Sequence, residues 1–209
     1  MNFWILLQRV FALFLFILLL PFFGILAIIL KIQNGGPLIF KQKRMGKGKK
    51  PFTIYKIRTM IVNADEQKSK YLKLNETDGP VFKIKRDPRF TPIGRVLART
   101  AVDEFPQLIN VIKGEMAIVG PRPLPWSEAL NVPSKYKERF TVLPGMSSTW
   151  IIKGSHRLSF KEWMKLDIEY VKNHSIGQDI LIMVMTFVYM SRWVVHYFLS
   201  KCKQKLLTK

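Results

Sequence analysis

Two adjacent carboxylates, Asp103 and Glu104, are the residues of this chain whose types best suit catalysis. Pro106 and a short apolar stretch follow them and predict a helix, because a proline in the first turn of a helix removes no hydrogen bond. Acids at a helix start are stabilised by the helix dipole, so on the pair alone capping is the simpler interpretation. In the catalytic interpretation, one carboxylate attacks a phosphorus atom as a nucleophile. The other holds Mg²⁺, which prefers carboxylate and phosphate oxygens.

Arg122 favours the catalytic interpretation, because it lies between Pro121 and Pro123. Each proline fixes its own φ and restricts the residue before it, so Arg122 is expected on a stiff backbone. A guanidinium keeps its charge and binds phosphate through two parallel hydrogen bonds. The alternative is a structural ion pair across a turn. Phosphoryl transfer needs mainly positioning and positive charge, so the acids and Arg122 together predict chemistry on a phosphate.

A second source of positive charge is Lys56 and Arg58, in a strand predicted over residues 52–60. The period of two places both side chains on one face, about 7 Å apart, where they suit a diphosphate. Exposed surface charges with no ligand are the alternative. A shorter strand is predicted at 38–40. The basic turn at 41–50 between the strands is expected near anionic headgroups, each basic residue contributing about 1 kcal/mol.

The N-terminal segment is apolar. Residues 10–30 carry no charge and are long enough to span a membrane as a helix. Pro21 interrupts this stretch and favours a kink, so a re-entrant helix that returns to its own face is an alternative. The basic residues that begin at Lys31 predict that this side is cytoplasmic. We therefore predict a membrane region at 1–34 and a cytoplasmic catalytic domain at 35–209.

The C-terminal part combines a capped helix with a second apolar stretch. Ser159 and Glu162 have the spacing of a capping box and predict a helix start. Asp167, within that helix, is expected to be solvated or salt-bridged. Residues 180–199 are apolar enough for a second membrane span. However, Arg192 and His196 lie four residues apart, on one helix face, which favours an amphipathic helix in the membrane interface.

The composition indicates an anionic partner at a membrane. The chain has 209 residues, 34 Lys and Arg against 14 Asp and Glu, and a net charge of +20. It is also 48% hydrophobic with 15 Phe and 5 Trp, which fits a membrane surface better than nucleic acid. The single cysteine, Cys202, excludes an intramolecular disulfide. A non-catalytic basic adaptor on the membrane would explain the charge and both apolar ends, but not the acid pair or Arg122.

Five segments occur in a fixed order: GGPLIFKQKR (35–44), PFTIYKIRTM (51–60), DPRFT (87–91), DEFPQLINVIKGE (103–115) and VGPRP (119–123). Together they resemble the bacterial sugar transferase family, the monotopic polyprenyl-phosphate phosphoglycosyl transferases. The resemblance implies an α+β, mostly helical fold. It implies a re-entrant N-terminal membrane helix, a small β-hairpin and a helical catalytic domain with interfacial amphipathic helices. The implied location is the cytoplasmic face of the bacterial inner membrane.

The resemblance also implies a reaction. A sugar-1-phosphate passes from a nucleotide diphosphate sugar, commonly a UDP-sugar, to undecaprenyl phosphate through a covalent phosphosugar-aspartyl intermediate, and UMP is released. Asp103 matches the family nucleophile and Glu104 its Mg²⁺-linked partner, so we place the metal at this pair. Lys56 and Arg122 match positions near the phosphates. The implied partners are nucleotide sugar, polyprenyl phosphate and membrane lipids, with no nucleic acid and with a homodimer left open.

The chain departs from the family pattern at three positions. Leu20 stands where serine usually precedes the membrane proline. Ala98 stands in a usual arginine position, next to Arg99. Ser155 stands in another, close to Arg157. We therefore include Arg99 and Arg157, with Lys56, Arg58 and Arg122, among the expected phosphate-binding residues. The sequence names neither the sugar nor the glycan that is made.

Overall fold

The computed structural model describes residues 3–153 and 158–207, and describes side chains at 3–33, 35–153 and 158–192. These residues form seven α-helices and two two-stranded sheets. The helices are α1 (Phe3–Asn34), α2 (Pro92–Thr100), α3 (Leu108–Lys113), α4 (Trp126–Leu130), α5 (Thr149–Ile152), α6 (Phe160–Lys172) and α7 (Ile176–Leu207). The strands are β1 (Ile39–Met45), β2 (Pro51–Ile57), β3 (Ala117–Val119) and β4 (Gly145–Ser147). The predicted mostly helical α+β fold with a small hairpin is confirmed.

Four 3₁₀ helices complete the described elements: Lys47–Lys49, Glu66–Leu74, Val102–Gln107 and Ser134–Phe140. The polar residues 64–74 predict a helix from their sequence, and Glu66–Leu74 form a 3₁₀ helix. The pairs Gly79-Pro80, Asp87-Pro88 and Thr91-Pro92 predict a loop over 75–92, which is confirmed up to Pro92, where α2 begins. Thr91 caps α2 by accepting a hydrogen bond from the Gly94 N–H.

The strands β1 and β2 form an antiparallel hairpin, with Ile39 opposite Ile57 and Met45 opposite Pro51. The prediction that the first strand ends at residue 40 is wrong, because β1 continues through the basic residues that were assigned to the turn. Exposed and less exposed residues alternate along β1. Basic side chains occur on both faces of this strand, so the sequence shows no alternation of polar and apolar residues that would predict it.

The second sheet pairs β3 with β4 in parallel, and Ala117 lies opposite Gly145. The backbones approach very closely here: a Cβ on Gly145 would lie 2.0 Å from the Gly120 nitrogen. Real Cβ atoms do not come so near a backbone atom, so the approach requires glycine. The turn that carries Arg122 follows β3 directly, and its path therefore depends on this contact.

The helix α1 runs through Pro21 without ending there, and it packs against the domain on both sides of that proline. Near its start the Arg9 Nε donates to the Ile112 carbonyl at 2.8 Å. Near its end Leu30 packs with Ile57 and Leu97. Its outward face exposes large apolar side chains, among them Phe3, Leu6, Val10, Phe14, Ile17, Phe22, Ile25 and Ile28. Within the described residues, only Phe3–Gln33 is long and apolar enough to cross a membrane. A spanning helix and a re-entrant helix both meet this criterion, so the re-entrant path stays a prediction.

The acid pair lies within a 3₁₀ helix and not just before a helix as predicted. Ala101, with a left-handed φ of 54°, ends α2 and turns the chain into Val102–Gln107. The helix α3 follows and ends at Gly114, where φ is +78°. Both carboxylates lie near Lys56 of β2.

The helix α6 begins with the predicted capping box: Ser159 Oγ accepts from the Glu162 N–H, and Glu162 Oε2 accepts from the Ser159 N–H. Its apolar stripe joins a core cluster of Met45, Leu124, Phe140, Phe160, Trp163 and Met164. The long helix α7 packs on the domain near its start, where Ile182 is buried. The side chain of His196 lies outside the described side chains, so the shared polar face of Arg192 and His196 stays a prediction.

Candidate active site

Three separate elements bring an ion cluster together. Glu104, in the 3₁₀ helix, accepts at Oε1 from Lys56 Nζ of β2 at 2.7 Å. The same oxygen accepts from Arg122 Nη2, in the turn after β3, at 2.8 Å. Asp103 Oδ2 lies 4.0 Å from Lys56 Nζ. The structure therefore assembles four of the residues that the sequence singles out.

The two carboxylates have opposite electrostatic environments. Burial raises the pKa of Asp103 to about 6; the Lys56 charge opposes this effect and the Glu104 charge adds to it. Burial also disfavours the charged form of Glu104, but the charges of Arg122 and Lys56 outweigh it and hold that pKa well below its usual range. Glu104 is therefore an ionised anchor for two cations.

Asp103 is 6% exposed, and its Oδ1 is buried with no hydrogen-bond partner among the described residues. A buried polar atom without a partner is costly and needs an explanation. A carboxylate oxygen that accepts no hydrogen bond keeps its lone pairs available for an incoming electrophile or cation. Of the two acids, Asp103 is therefore the better suited to attack a phosphorus atom.

The same oxygen bears on the expected metal. Mg²⁺ is commonly held by one or two carboxylates together with substrate phosphates. Asp103 and Glu104 fit such a shared ion, because one carboxylate oxygen is unsatisfied and a second carboxylate is adjacent. Across the described part of the chain, no group of three or more His, Cys, Asp or Glu side chains forms a metal site.

The other expected phosphate-binding residues lie elsewhere or outside the described residues. Arg58 follows the last residue of β2, and its guanidinium donates to the Gly35 carbonyl at the end of α1. Arg99 is exposed in the last turn of α2. Arg157 and Ser155 lie outside the described residues. Of the five expected cations, Lys56 and Arg122 contact the acid pair, and the roles of the other three stay predictions.

Sequence reasoning did not identify an aromatic platform beside Arg122. The Arg122 guanidinium lies 5.3 Å from the ring centroid of Trp150, and Lys83 Nζ lies 4.7 Å from the same centroid. Burial and then the Arg122 charge lower the pKa of Lys83 to about 8. Lys83, Trp150 and Trp163 line a small pocket together. A lysine in a long predicted loop gives no sequence signal of this placement.

Two further arginines were also missed, Arg44 and Arg139. Arg44 Nη1 donates to the Pro123 carbonyl at 2.7 Å. Arg139 Nη2 donates to the Arg122 carbonyl at 2.8 Å. The correct strand period in β1 would have placed Arg44 on the inner face. No local signal reveals Arg139, because its contact depends on tertiary packing.

Comparison with known proteins gives a consistent result. A profile of the bacterial sugar transferase family matches residues 3–192. The chain is 41% identical over 167 residues to a galactosyl transferase, CpsE, of Streptococcus agalactiae, which covers 78% of this chain and 37% of that protein. It is 35% identical over 162 residues to an undecaprenyl-phosphate galactose phosphotransferase of Salmonella typhimurium, which covers 74% of this chain and 33% of that protein.

A third relative is shorter. The exopolysaccharide production protein ExoY of Rhizobium meliloti is 32% identical over 170 residues, which are 79% of this chain and 75% of ExoY. The chain thus spans about a third of the length of the first two relatives and three quarters of ExoY. The family match extends over α1, the hairpin, the acid pair and the Arg122 turn. On this match, the chain belongs to the bacterial sugar transferase family.

Proposed function

We propose that this chain transfers a sugar-1-phosphate from a nucleotide diphosphate sugar to undecaprenyl phosphate. The observation that carries the proposal is the unpaired, buried Asp103 Oδ1 beside a glutamate that holds two cations. The names of relatives point to the same reaction class, since they include a UDP-galactose-lipid carrier transferase of Erwinia amylovora and the Salmonella phosphotransferase. We infer that the donor is a UDP-sugar.

The proposed first step is an attack by Asp103. A carboxylate oxygen forms a bond to the phosphorus that carries the sugar. The bond from this phosphorus to the bridging oxygen breaks, and its electron pair leaves with UMP. The product is a phosphosugar ester of Asp103, the class of covalent intermediate that splits one difficult transfer into two easier ones.

The second step restores the enzyme. A phosphate oxygen of undecaprenyl phosphate attacks the same phosphorus. The bond to Asp103 breaks, the carboxylate is regenerated, and the sugar diphospholipid leaves. Both steps displace an oxygen from phosphorus, so one set of positive charges serves both.

Lys56 and Arg122 would supply that charge. A guanidinium has five N–H donors, so the bond from Arg122 to Glu104 leaves donors for a phosphate. Glu104 would fix both cations before the substrate arrives, and such preorganised charge lowers the barrier more than charge that must first be oriented. When bound at Asp103 and Glu104, Mg²⁺ would neutralise phosphate charge.

The anchor helix supports a membrane location. The outward face of α1 is apolar along its length, while Arg9 and Leu30 hold opposite ends of the helix on the domain. A straight span across the bilayer would carry one of these ends away from the domain. We therefore propose a monotopic protein of the bacterial inner membrane, with α1 embedded from the cytoplasmic face and the apolar start of α7 at the same surface.

The test uses the protein in liposomes with undecaprenyl phosphate, Mg²⁺ and a panel of UDP-sugars. Wild type is expected to release UMP and to form a lipid-linked sugar with at least one donor. Without the lipid, one UMP per enzyme and a label on Asp103 are expected. Removing Mg²⁺ with a chelator should stop turnover, and adding it back should restore it.

Asp103→Asn is the control variant, since it keeps the shape of the side chain and removes its charge. Full UMP release by Asp103→Asn would contradict the covalent step. Liposome binding with no turnover on any donor would instead favour a non-catalytic adaptor. Unchanged thermal unfolding of Asp103→Asn would show that its loss of activity is chemical.

A further inference from the structure

The turn that carries Arg122 is anchored through its carbonyl oxygens. All four consecutive carbonyls of residues 121–124 accept a hydrogen bond. Two donors are backbone groups. The Gly145 N–H donates to the Pro121 carbonyl at 3.1 Å, and the Met45 N–H donates to the Leu124 carbonyl at 3.2 Å. The other two donors are side chains. Arg139 donates to the Arg122 carbonyl at 2.8 Å, and Arg44 donates to the Pro123 carbonyl at 2.7 Å.

This mode of anchoring follows from the sequence of the turn. Pro121 and Pro123 have no N–H, so the turn has few donors of its own. Its carbonyls must therefore find donors from other elements. Two of these are guanidiniums, whose hydrogen bonds are charge-assisted and shorter and stronger than those between neutral groups.

Arg139 is itself held in place. Its Nε and Nη2 both donate to Asp167 Oδ2, at 2.9 and 2.7 Å. The two side chains are each 1% exposed. A buried ion pair often adds little net stability, because removing two charges from water is costly. The orientation that Asp167 imposes on Arg139 gives this pair a role beyond stability.

The surroundings of Arg44 disfavour its positive charge. Burial, and next the charge of Arg122, lower the pKa of Arg44 to about 10. The fold therefore keeps the positive charges of Arg44 and Arg122 close together. Arg44 and Arg122 do different work here, since Arg44 binds a backbone carbonyl and Arg122 binds Glu104.

We propose that Arg44 and Arg139, the latter oriented by Asp167, are positioning residues that aim the Arg122 guanidinium at the substrate phosphates. The proposal rests on the proposed function, in which Arg122 binds those phosphates. A misplacement of about 1 Å in such a site reduces the rate by up to about 10²-fold. A shift of the turn carries Arg122 with it, because the prolines leave its backbone little freedom to compensate.

The test is a double-mutant cycle with Arg122. Arg44→Lys and Arg139→Lys keep the charge but lose the geometry of the guanidinium. Each is expected to lower kcat/KM by about 10- to 100-fold, in line with a site displaced by about 1 Å. In an Arg122→Gln background, each should change kcat/KM by less than about 2-fold, since coupled residues are not additive.

Arg89→Lys is the matched control. Arg89 is also a buried arginine, paired with Asp87 at 2.6 Å, but it donates to the Ala64 carbonyl and does not touch the turn. Its effect should be equal in the wild-type and Arg122→Gln backgrounds. Thermal unfolding of every variant distinguishes a loss of folding from a displacement of the Arg122 guanidinium in a folded protein. If Arg139→Lys does not fold, the Arg44→Lys cycle decides alone.

Binding of UDP, measured by calorimetry, separates failure of this inference from failure of the proposed function. Arg44→Lys should weaken UDP binding in the wild-type background and not in the Arg122→Gln background, whether or not any sugar is transferred. Losses that multiply in the Arg122→Gln background, or single variants with wild-type kcat/KM and UDP binding, would overturn the inference. A wild type that binds UDP through Arg122 but transfers no sugar would overturn the function and leave the UDP cycle to decide the inference.

Discussion

The ring of Phe23 lies parallel to the ring of Phe105, with centroids 3.5 Å apart and 5° between the planes. Phe16, two turns earlier in α1, is also parallel to Phe105, at 5.4 Å. Phe105 directly follows Glu104. The helix α1 therefore packs, from both sides of Pro21, on the residue next to the acid pair.

This contact predicts that α1 positions the acid pair. Phe23→Leu should lower kcat and cost about 0.5–1.5 kcal/mol of unfolding free energy, the usual contribution of an aromatic pair beyond its area. Phe14→Leu is the control, because Phe14 is 60% exposed on the outward face of the same helix. Rates in liposomes and thermal unfolding give the measurement. Equal kcat for the two variants would contradict the positioning role.

The packing of both ends of α1 on the domain predicts its topology. In a Cys202→Ser background, Asn2→Cys and Gln33→Cys should both react with a membrane-impermeant thiol reagent from the cytoplasmic side. Labelling in inside-out and right-side-out vesicles gives the measurement. Reaction of position 2 from the periplasmic side alone would indicate a true span and would exclude a re-entrant helix.

The sequence predicts much of this site and little of its support. The acid pair, Lys56 and Arg122 are recognisable because residue type and local backbone rigidity carry the signal. The capping box at Ser159 is equally local. The pairing of β3 with β4 joins three-residue strands that are far apart in the chain, and no periodicity marks them.

Long-range contacts explain the remaining errors. Lys83 lies in an irregular loop, yet it reaches Trp150 beside Arg122. Arg58 was expected to face the same way as Lys56, but β2 ends at Ile57 and the strand period no longer applies beyond it. Residue types alone do not reveal where an irregular segment places its side chains.

Lys83 predicts a pH effect on donor binding. Its pKa of about 8 reflects burial first and Arg122 second, while Glu76 acts in the opposite direction. As pH rises through about 8, Lys83 loses its charge, and kcat/KM for the UDP-sugar should fall. Lys83→Arg keeps the charge and should move this decline to higher pH. Profiles of kcat/KM from pH 6.5 to 10 give the measurement. Identical alkaline limbs for wild type and Lys83→Arg would show that the charge of Lys83 does not contribute to donor binding.

Unfolding does not explain that decline. The pKa of Lys83 is lower in the folded chain than the ordinary value of 10.5. Between about pH 8 and 10.5 the unfolded chain therefore binds more protons at Lys83, and this group makes folding more favourable as pH rises. Activity and the stability contribution of Lys83 are expected to change in opposite directions across this range.

The contact between β3 and β4 predicts that Gly145 supports the Arg122 turn. Gly145→Ala would place a Cβ 2.0 Å from the Gly120 nitrogen, so the two strands must separate. We expect a loss of about 3 kcal/mol in unfolding free energy, at the upper end for overpacking. We also expect lower kcat/KM, because the Gly145 N–H holds the Pro121 carbonyl.

Gly177→Ala is the matched control for Gly145→Ala, since a Cβ on Gly177 meets no atom within 4 Å. It lies at the start of α7, where alanine favours the helix, so stability should stay equal or rise slightly. Thermal unfolding and UMP release of the two variants give the comparison. A Gly145→Ala protein with the stability and rate of Gly177→Ala would show that the close approach of β3 and β4 is not required to hold the Arg122 turn.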